Sequence, residues 1–138
     1  MQRREFMMLT AAVSFALPFA AQAAAPIEYT PEGLAAALGG GKTVFLDFHA
    51  TWCSTCAAQV RVIDALKAKN PAYEAAISFF NVDWDIWGEG ELSKALNIPR
   101  RSTLVVLKGK EELGRLVAVT DKDAIKALMD LALRAATA

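Results

Sequence analysis

The segment Phe45-Leu46-Asp47-Phe48-His49-Ala50-Thr51-Trp52-Cys53-Ser54-Thr55-Cys56 contains the only two cysteines of the chain, three residues apart. Thr43 to Phe48 is a continuous apolar run interrupted only by Asp47, which predicts a short strand buried on both faces. Nothing breaks a helix between Cys53 and Lys69, and Asn70-Pro71 ends it. The two cysteines are therefore predicted to stand at a strand-to-helix junction, one helical turn apart.

Composition indicates one domain that is stabilised by its own core. The chain has 138 residues, of which 54% are hydrophobic, so it is long enough for one core and too short for two domains. Its formal net charge of +0 gives no support for nucleic acid or an acidic lipid surface as a partner. Two cysteines cannot form a disulfide-rich scaffold.

The N-terminal residues are typical of an export signal. Arg3-Arg4 form a positive region, residues 6–20 an apolar stretch, and Ala21-Gln22-Ala23 a small-x-small cleavage site. The stretch is shorter than the roughly 20 residues of a spanning helix, and Pro18 interrupts it. We expect residues 1–23 to be a cleavable signal peptide and residues 24–138 to form a single domain.

Two points about this signal stay open. Cleavage after Ala25 and an uncleaved membrane anchor are the alternatives to cleavage after Ala23. Residues 3–7 also resemble a twin-arginine signal, although an ordinary secretory signal is equally consistent with them. Either route leads to a compartment outside the cytoplasm, and disulfides form and persist in such compartments. We expect this compartment to be a bacterial periplasm.

The mature chain alternates between helix and strand signals. Helices are predicted from Thr30-Pro31 to the glycines at 39–41, over 53–69, over 91–96 and after Asp121; strands are predicted at 43–48, 77–82, 103–107 and 113–119, with Gly114 as a bulge. Residues 84–90 are expected to be a loop. This order predicts an α/β domain with a central mixed sheet of about four strands and helices on both faces.

A Cys-x-x-Cys pair at such a junction favours reversible redox chemistry. Cys53 is predicted to lie at the helix N-terminus, where unpaired backbone N–H groups and the helix dipole stabilise a thiolate. Cys56 lies one turn later on the same face and can attack a mixed disulfide formed by Cys53. We therefore predict that Cys53 is the nucleophile, Cys56 the resolving cysteine, and a Cys53–Cys56 disulfide the oxidised state.

Two other roles fit the cysteines less well. A zinc site needs about four ligands, and besides the two thiols and carboxylates the chain offers only His49. A static disulfide between residues one helical turn apart constrains almost no chain entropy. We predict no metal and no dissociable cofactor.

The segment 45–56 resembles the strand-to-active-site segment of the thioredoxin superfamily, with the acidic residue, the tryptophan and the dithiol in register. Val82-Asp83 resembles the end of that family's next core strand, and Ser102-Thr103-Leu104 resembles the start of its third strand pair. The similarity covers about residues 30–135 and is closest to periplasmic reducing members, such as the C-terminal domain of DsbD-type electron conduits. It implies the thioredoxin fold and thiol–disulfide oxidoreductase activity.

Asp47 is predicted to be the proton acceptor of the site. An ionised carboxylate within a buried strand is unfavourable, so we expect a raised pKa and, as the resemblance also implies, acceptance of the Cys56 proton. A structural carboxyl hydrogen-bonded to backbone is the alternative. Many thioredoxins place a lysine on the next strand opposite this acid, and here Phe79 takes that place, which is expected to raise the pKa of Asp47 further.

Two neighbours of the dithiol are also candidates for the site. His49, the only histidine, is expected on the same side of the strand as Asp47, where it would tune the Cys53 thiolate or act as a packing residue. Trp52 is expected to shield the sulfurs and shape the substrate groove. Trp84 and Trp87 are expected to be lids on the core or an exposed contact for a partner.

The sharpest departure from the family pattern lies at Arg101-Ser102-Thr103. The family usually carries a cis-proline immediately before this strand, and Ser102 takes its place, with Pro99 as the alternative. A non-proline cis bond costs about 3 kcal/mol, which favours a trans peptide and an altered groove rim. Arg100 and Arg101 are expected to flank the groove, where they lower the pKa of Cys53 or select an acidic partner, or to be a solvated pair.

These features predict an exported thiol–disulfide oxidoreductase that reduces rather than oxidises protein disulfides. The expected partners are a membrane electron donor and a periplasmic client protein, with no nucleic acid and no stable membrane association after cleavage, and the protein is expected to be a monomer. A non-enzymatic periplasmic metal carrier that uses the same cysteines is the alternative. A docking protein with a vestigial dithiol is a second alternative.

Overall fold

The elements of the chain follow from local signals that the sequence carries. A computed structural model describes residues 23–138, so the predicted signal peptide lies outside the described residues except for Ala23. The elements are β1 (Ile27–Glu28), α1 (Pro31–Gly39), β2 (Thr43–His49), α2 (Ser54–Lys69), α3 (Ala72–Ala76), β3 (Ile77–Asp83), α4 (Trp84–Trp87), α5 (Glu91–Ala95), β4 (Thr103–Lys108), β5 (Glu111–Val117) and α6 (Lys122–Thr137).

Capping residues set where the longer helices begin. The Thr30 side chain accepts a hydrogen bond from Gly33 N at 3.0 Å, and Pro31 follows at the first helical position of α1. Asp121 accepts from Ala124 N at 2.9 Å and starts α6. Helix α2 is capped by Cys53 itself. The predicted starts of all three helices are confirmed to within a residue.

The strands form one mixed sheet in the order β1-β3-β2-β4-β5. Strands β1, β3 and β2 are parallel, and β4 and β5 run antiparallel to their neighbours. Because β2 alternates its side chains between two covered faces, Phe45 packs into the core under α2 and α6, while Leu46 and Phe48 pack into the core on the other side. The predicted mixed sheet with helices on both faces is confirmed.

The strand count, the two short helices α3 and α4, and the bounds of β5 differ from the prediction. The sheet has five strands rather than about four, because the two residues of β1 pair with β3 through Ile27 opposite Phe80. The predicted loop at 84–90 begins instead with α4, capped by Asp83, and α3 was not predicted. Strand β5 begins at Glu111 and ends at Val117, two residues earlier than predicted at each end. Elements as short as β1, α3 and α4 are stabilised by tertiary contacts and leave almost no periodic pattern in the sequence.

The predicted irregularity at Gly114 is confirmed within one residue. The β4–β5 register shifts between Val106, which pairs with Gly114, and Leu107, which pairs with Glu112, so Leu113 is the extra residue of a bulge. A Cβ atom on Gly114 would lie 3.0 Å from side-chain carbons of both Leu128 and Leu131. Glycine therefore allows α6 to pack closely on β5.

The fold brings three separate chain segments to one end of the sheet. Strand β2 delivers Asp47 and then the loop to Cys53, the N-terminus of α2 carries the dithiol, and the loop before β4 carries Ser102 against both. Within residues 23–138, no helix combines the length and hydropathy that crossing a membrane requires.

Candidate active site

Cys53 is the N-cap residue of α2, and its sulfur performs the capping. Its backbone is extended, and Sγ accepts a hydrogen bond from Cys56 N at 3.1 Å. The Cys53 backbone N–H donates to Ala50 O at 3.1 Å, which holds the strand-to-helix turn. A thiolate here satisfies one of the unpaired N–H groups of the helix end and faces the positive end of its dipole. The predicted placement of Cys53 is confirmed.

The two thiols are reduced and differ in acidity. Cys53 is 5% exposed and Cys56 is fully buried. Burial raises the pKa of Cys53, but hydrogen bonds from Cys56, Ser102 and Arg101 outweigh it and lower this pKa to about 7. Burial and the adjacent Cys53 sulfur raise the pKa of Cys56. As the pH rises through neutrality, ionisation of the pair therefore begins at Cys53, while Cys56 keeps its proton.

Ser102 touches both sulfurs. Its Oγ lies 3.2 Å from Cys53 Sγ and 3.1 Å from Cys56 Sγ, and the residue is fully buried. The peptide bond before it is trans, as is every peptide bond of residues 23–138, and its φ is +64°. A proline ring fixes φ near −65°, so proline could not adopt this backbone conformation. The position that the family pattern gives to a cis-proline thus supplies a hydroxyl group here.

Gln59 holds Ser102 in place, and sequence analysis missed it. Its Nε2 donates to Ser102 O at 2.9 Å and to Val119 O at 3.0 Å, although it is a fully buried residue on α2. The Ser102 N–H donates to Phe48 O at 2.7 Å, and Ser102 O also accepts from Ala118 N at 2.8 Å. The only sequence signal was a glutamine one turn after Cys56 on the buried face of the helix.

Asp47 is a carboxyl whose surroundings raise its pKa. On β2 it lies opposite Asn81 of β3 and Leu104 of β4, and its Oδ1 is enclosed without a hydrogen-bond partner among residues 23–138. Burial raises its pKa to about 7, and the charge on Cys53 adds to the rise, whereas Lys67 opposes it. A carboxyl that is half-ionised near neutral pH can accept and return a proton.

Lys67 is the second group that sequence analysis missed. It projects from α2, is 4% exposed, and places Nζ 4.0 Å from the centre of the Phe79 ring and 3.6 Å from Glu74 Oε1. Phe79 lies on the same face of the sheet as Asp47, as predicted, because the register pairs it with Phe45. The cation that acts on Asp47 therefore comes from a helix rather than from the next strand.

A cavity of about 230 Å³ adjoins Asp47 on this side of the sheet. Its walls include Asp47, Asp64, Lys67 and Phe79, together with the chain segment 23–26. Ala24 N donates to Glu74 Oε1 at 2.8 Å, which keeps this segment beside the cavity. The carboxyl of Asp47 thus borders a space large enough for several water molecules.

Trp84 is packed against the buried dithiol. Trp84 contacts the cluster formed by Ala50, Cys53 and Cys56, whereas Trp52 is 60% exposed. The Trp52 indole N–H donates to Asp85 at 3.0 Å, and the Arg101 guanidinium lies 4.4 Å from the centre of its ring. Stacking on Arg101 and bonding to Asp85 hold Trp52 on the rim of the site, and its shielding of the sulfurs stays a prediction.

Trp84 and Trp87 are confirmed as lids on the core. Trp84 meets Phe48 edge-on with ring centroids 6.4 Å apart, and Trp87 meets Tyr29 in the same way at 5.0 Å. Both are partly buried against the core on their side of the sheet. They therefore close one flank of the dithiol region.

His49 and Arg100 lie near the site without contacting the sulfurs. His49 ends β2 opposite Asp83; among the described residues it makes no hydrogen bond to either cysteine, and its Nδ1 is enclosed without a partner. Arg100 Nε donates to Arg101 O at 3.1 Å and so braces the loop before Ser102. Of the two arginines, Arg101 is the one that acts on Cys53.

The described part of the site brings together few groups that bind metal ions. In the part of the chain that the structure covers, no three side chains of His, Cys, Asp and Glu come close enough together to hold an ion. The two thiols and the Ser102 hydroxyl are the polar groups gathered at the site. This donor set fits dithiol chemistry better than the roughly four ligands of a zinc site.

Comparisons with known proteins agree with this geometry. The chain is 28% identical over 90 residues to thioredoxin of Echinococcus granulosus, which covers 65% of this chain and 78% of that one. The crystal structure of Trxlp from Edwardsiella tarda matches with a TM-score of 0.66 at 25% identity, over 75% of this chain and 97% of that one. The Malassezia sympodialis thioredoxin Mala s 13 matches with a TM-score of 0.65 at 23% identity, over 80% and 96% of the two chains.

The family assignment rests on a match to a whole domain. The sequence model of the thioredoxin domain matches residues 27–131, from β1 into α6, and so includes every strand and the dithiol. This match implies thiol–disulfide oxidoreductase activity in general terms. The chain belongs to the thioredoxin family.

Proposed function

We propose that the protein is an exported, periplasmic thiol–disulfide oxidoreductase that reduces disulfides of client proteins. The observation that supports it most is the split in acidity within one dithiol, where the pKa of Cys53 is lowered to about 7 and that of Cys56 is raised. Such a split provides a nucleophile and a delayed second thiol in the same site. The predicted export signal supports the location.

The reaction uses the two cysteines in sequence. The Cys53 thiolate attacks one sulfur of a client disulfide, the client S–S bond breaks, and the other client sulfur leaves as a thiolate. Cys56 then loses its proton to Asp47 and attacks Cys53 Sγ, which releases the second client sulfur as a thiolate. Two electrons pass to the client, and the protein is left with a Cys53–Cys56 disulfide.

The acidity of Cys53 favours the reducing direction. A pKa of about 7 is similar to that of thioredoxin's own nucleophile, whereas the strong oxidant DsbA has about 3.5. A very acidic thiolate stabilises the reduced form and makes the disulfide oxidising, and the moderate stabilisation here does not. The cycle then requires an electron donor to restore the dithiol, for which we propose a membrane-bound dithiol protein of the kind that DsbD-type conduits provide.

The rim around Cys53 is the proposed contact for both partners. Trp52 and Ile86, at 60% and 67% exposed, present apolar surface, and Arg101 adds a cation beside it. Ser102 cannot pair its backbone with an extended client segment, because its N–H and C=O are both bonded within the protein. We therefore propose recognition through the side chains of this rim, by the protein as a monomer.

Trapping of the mixed disulfide tests this function. In the variant Cys56→Ser the first attack proceeds and the second cannot, so a client should remain bound to Cys53 and be released by dithiothreitol. Cys53→Ser is the matched control, and no client should remain attached to it. Clients trapped in the periplasm by C56S alone, together with a dithiol potential near that of reducing thioredoxins, are the expected result. Stoichiometric copper or zinc binding without turnover of any protein disulfide would contradict the oxidoreductase function and favour the alternative of a periplasmic metal carrier.

A further inference from the structure

We propose that Ser102 is a catalytic residue whose single hydroxyl proton stabilises the Cys53 thiolate in the first step and the Cys56 thiolate in the second. The proposal deepens the proposed function, on which it rests for the order of the two steps. The hydroxyl occurs at the position where the family pattern carries a proline, a residue that has no side-chain donor.

The distances make the hydroxyl a bridge between the two sulfurs. Oγ is 3.2 Å from Cys53 Sγ and 3.1 Å from Cys56 Sγ, so neither contact is favoured by distance. A serine hydroxyl carries one proton and two acceptor lone pairs, and so it donates to one sulfur while accepting from the other. With Cys53 ionised, Oγ–H donates to Cys53 S⁻ and Cys56 S–H donates to Oγ.

Formation of the mixed disulfide reverses this arrangement. Once Cys53 Sγ is bonded to the client sulfur it is neutral and a weak acceptor, and the Ser102 hydroxyl is free to turn about its Cβ–Oγ bond. As the Cys56 proton passes to Asp47, Oγ–H donates to the Cys56 thiolate. That thiolate attacks Cys53 Sγ, the Cys53–client bond breaks, and the client leaves as a thiolate. Ser102 keeps its proton throughout.

The surroundings of Ser102 fix the oxygen between the sulfurs. Its φ of +64° is held by the hydrogen bonds of its N–H with Phe48 and of its C=O with Ala118 and Gln59. The residue is fully buried, so water does not compete for its hydroxyl. A hydrogen bond to a charged group is stronger than one between neutral groups and is stronger still in a site without water.

The other groups that face Cys53 come from three elements. Cys56 stands on the same helix, Asp47 acts from β2, and Arg101 donates from the loop before β4. Removing the Ser102 hydroxyl leaves the Asp47 and Arg101 side chains in place and takes from Cys56 only its hydrogen bond to Oγ. A change in Cys53 acidity on that removal therefore reports on the hydroxyl.

Two variants remove the hydroxyl in different ways. Ser102→Ala keeps a Cβ atom at a positive φ, whereas glycine adopts this backbone conformation without strain. Ser102→Gly is therefore the variant expected to fold with less loss of stability. In both, the pKa of Cys53 should rise by about one unit or more, which means about tenfold slower alkylation by iodoacetamide at a pH below 7. The client release step, measured in single-turnover reduction of a model protein disulfide, should slow by a similar factor.

Thr43→Val is the matched control. Thr43 is another buried hydroxyl whose Oγ1 has no partner within residues 23–138, and it begins β2 at the end of the strand away from the cysteines. This variant should leave both Cys53 alkylation and client release unchanged.

The rates of Cys53 alkylation and client release in Ser102→Gly decide whether the proposal holds. Wild-type alkylation and wild-type client release in this variant would overturn the proposal, and so would a change in only one of the two steps. If wild-type protein reduced no protein disulfide, the proposed function would fail, while alkylation of Cys53 would still show whether the hydroxyl stabilises its thiolate.

Discussion

Asp47 is a carboxyl on a strand that is covered on both faces. An isolated carboxylate in a core is strongly disfavoured, and proteins respond by keeping such a group protonated. Here burial raises the pKa of Asp47 from 3.8 to about 7, and the enclosed Oδ1 has no donor among the described residues to offset it. The cost of this position is the physical reason to assign Asp47 a role in proton transfer.

Asp47→Asn is expected to stabilise the protein at high pH. Between about pH 4 and pH 7 folded Asp47 holds a proton that the unfolded chain has lost, so its contribution to stability falls as the pH rises and is lowest above pH 7. Removing the charge should raise the free energy of unfolding at about pH 8 by up to about 4 kcal/mol, and by little below about pH 4. Urea unfolding of the reduced protein at both values measures this.

The same variant should slow the second chemical step, since asparagine cannot accept the Cys56 proton. Asp123→Asn is the control, because Asp123 is exposed in the first turn of α6 and is not among the groups that shift the pKa of Asp47. Equal gains in stability at high and low pH, or client release as fast as in the wild type across the pH range, would contradict the role of Asp47.

At the scale of elements, capping side chains determine where the longer helices begin. Thr30, Cys53 and Asp121 each cap a helix through a side-chain acceptor three residues before the N–H that it binds. Such caps are recognisable in sequence because their chemistry is complete within four residues. The short elements β1, α3 and α4 were missed because they depend on neighbours that are distant in the chain.

Asp121→Ala should destabilise α6 and with it the whole domain. Helix α6 buries Ile125, Leu128, Met129 and Ala132 in the core, so its end is coupled to global unfolding. Loss of the hydrogen bond to Ala124 N is expected to cost about 1 kcal/mol. Asp123→Ala is the control, since it removes a charge in the same turn but no capping bond, and should cost less than half as much. Equal losses in denaturant unfolding would show that charge, not capping, matters here.

At the scale of the whole molecule, the surroundings of Asp47 combine groups from distant parts of the chain. Lys67 reaches the Asp47 cavity from the end of α2, and segment 23–26 adjoins the same cavity from before β1. In the family pattern a lysine on the neighbouring strand acts on this acid, and here Phe79 holds that strand position and supports the Lys67 cation at 4.0 Å. A lysine cation thus acts on the buried acid in both cases, but here it comes from helix α2 rather than from the neighbouring strand.

Lys67→Met should raise the pKa of Asp47 further. The cation favours the ionised carboxylate, so its removal shifts ionisation to a pH above 7, while methionine retains most of the buried stem. The pH midpoint of the client release step should move upward by a measurable fraction of a unit. Lys69→Met is the control, because Lys69 is exposed in the last turn of the same helix. An unchanged midpoint in K67M would show that Lys67 does not act on Asp47.

The sequence by itself determined the fold class and the strand-to-helix junction that places Cys53 at the start of α2. Each of these depends on spacing or burial within a short segment, where residue type and local geometry are tightly linked. The export signal and the site of cleavage stay predictions from the sequence alone.

Only the tertiary structure decided what surrounds the dithiol. The Ser102 hydroxyl lies 49 residues from Cys53 and 46 from Cys56, and Gln59 reaches Val119 across 60 residues. Contacts of this kind depend on the β2–β4 register and on the packing of α2, which bring distant segments within hydrogen-bond distance of one another. A sequence shows that a serine replaces a proline, but the backbone conformation that aims its oxygen at two sulfurs exists only in the folded chain.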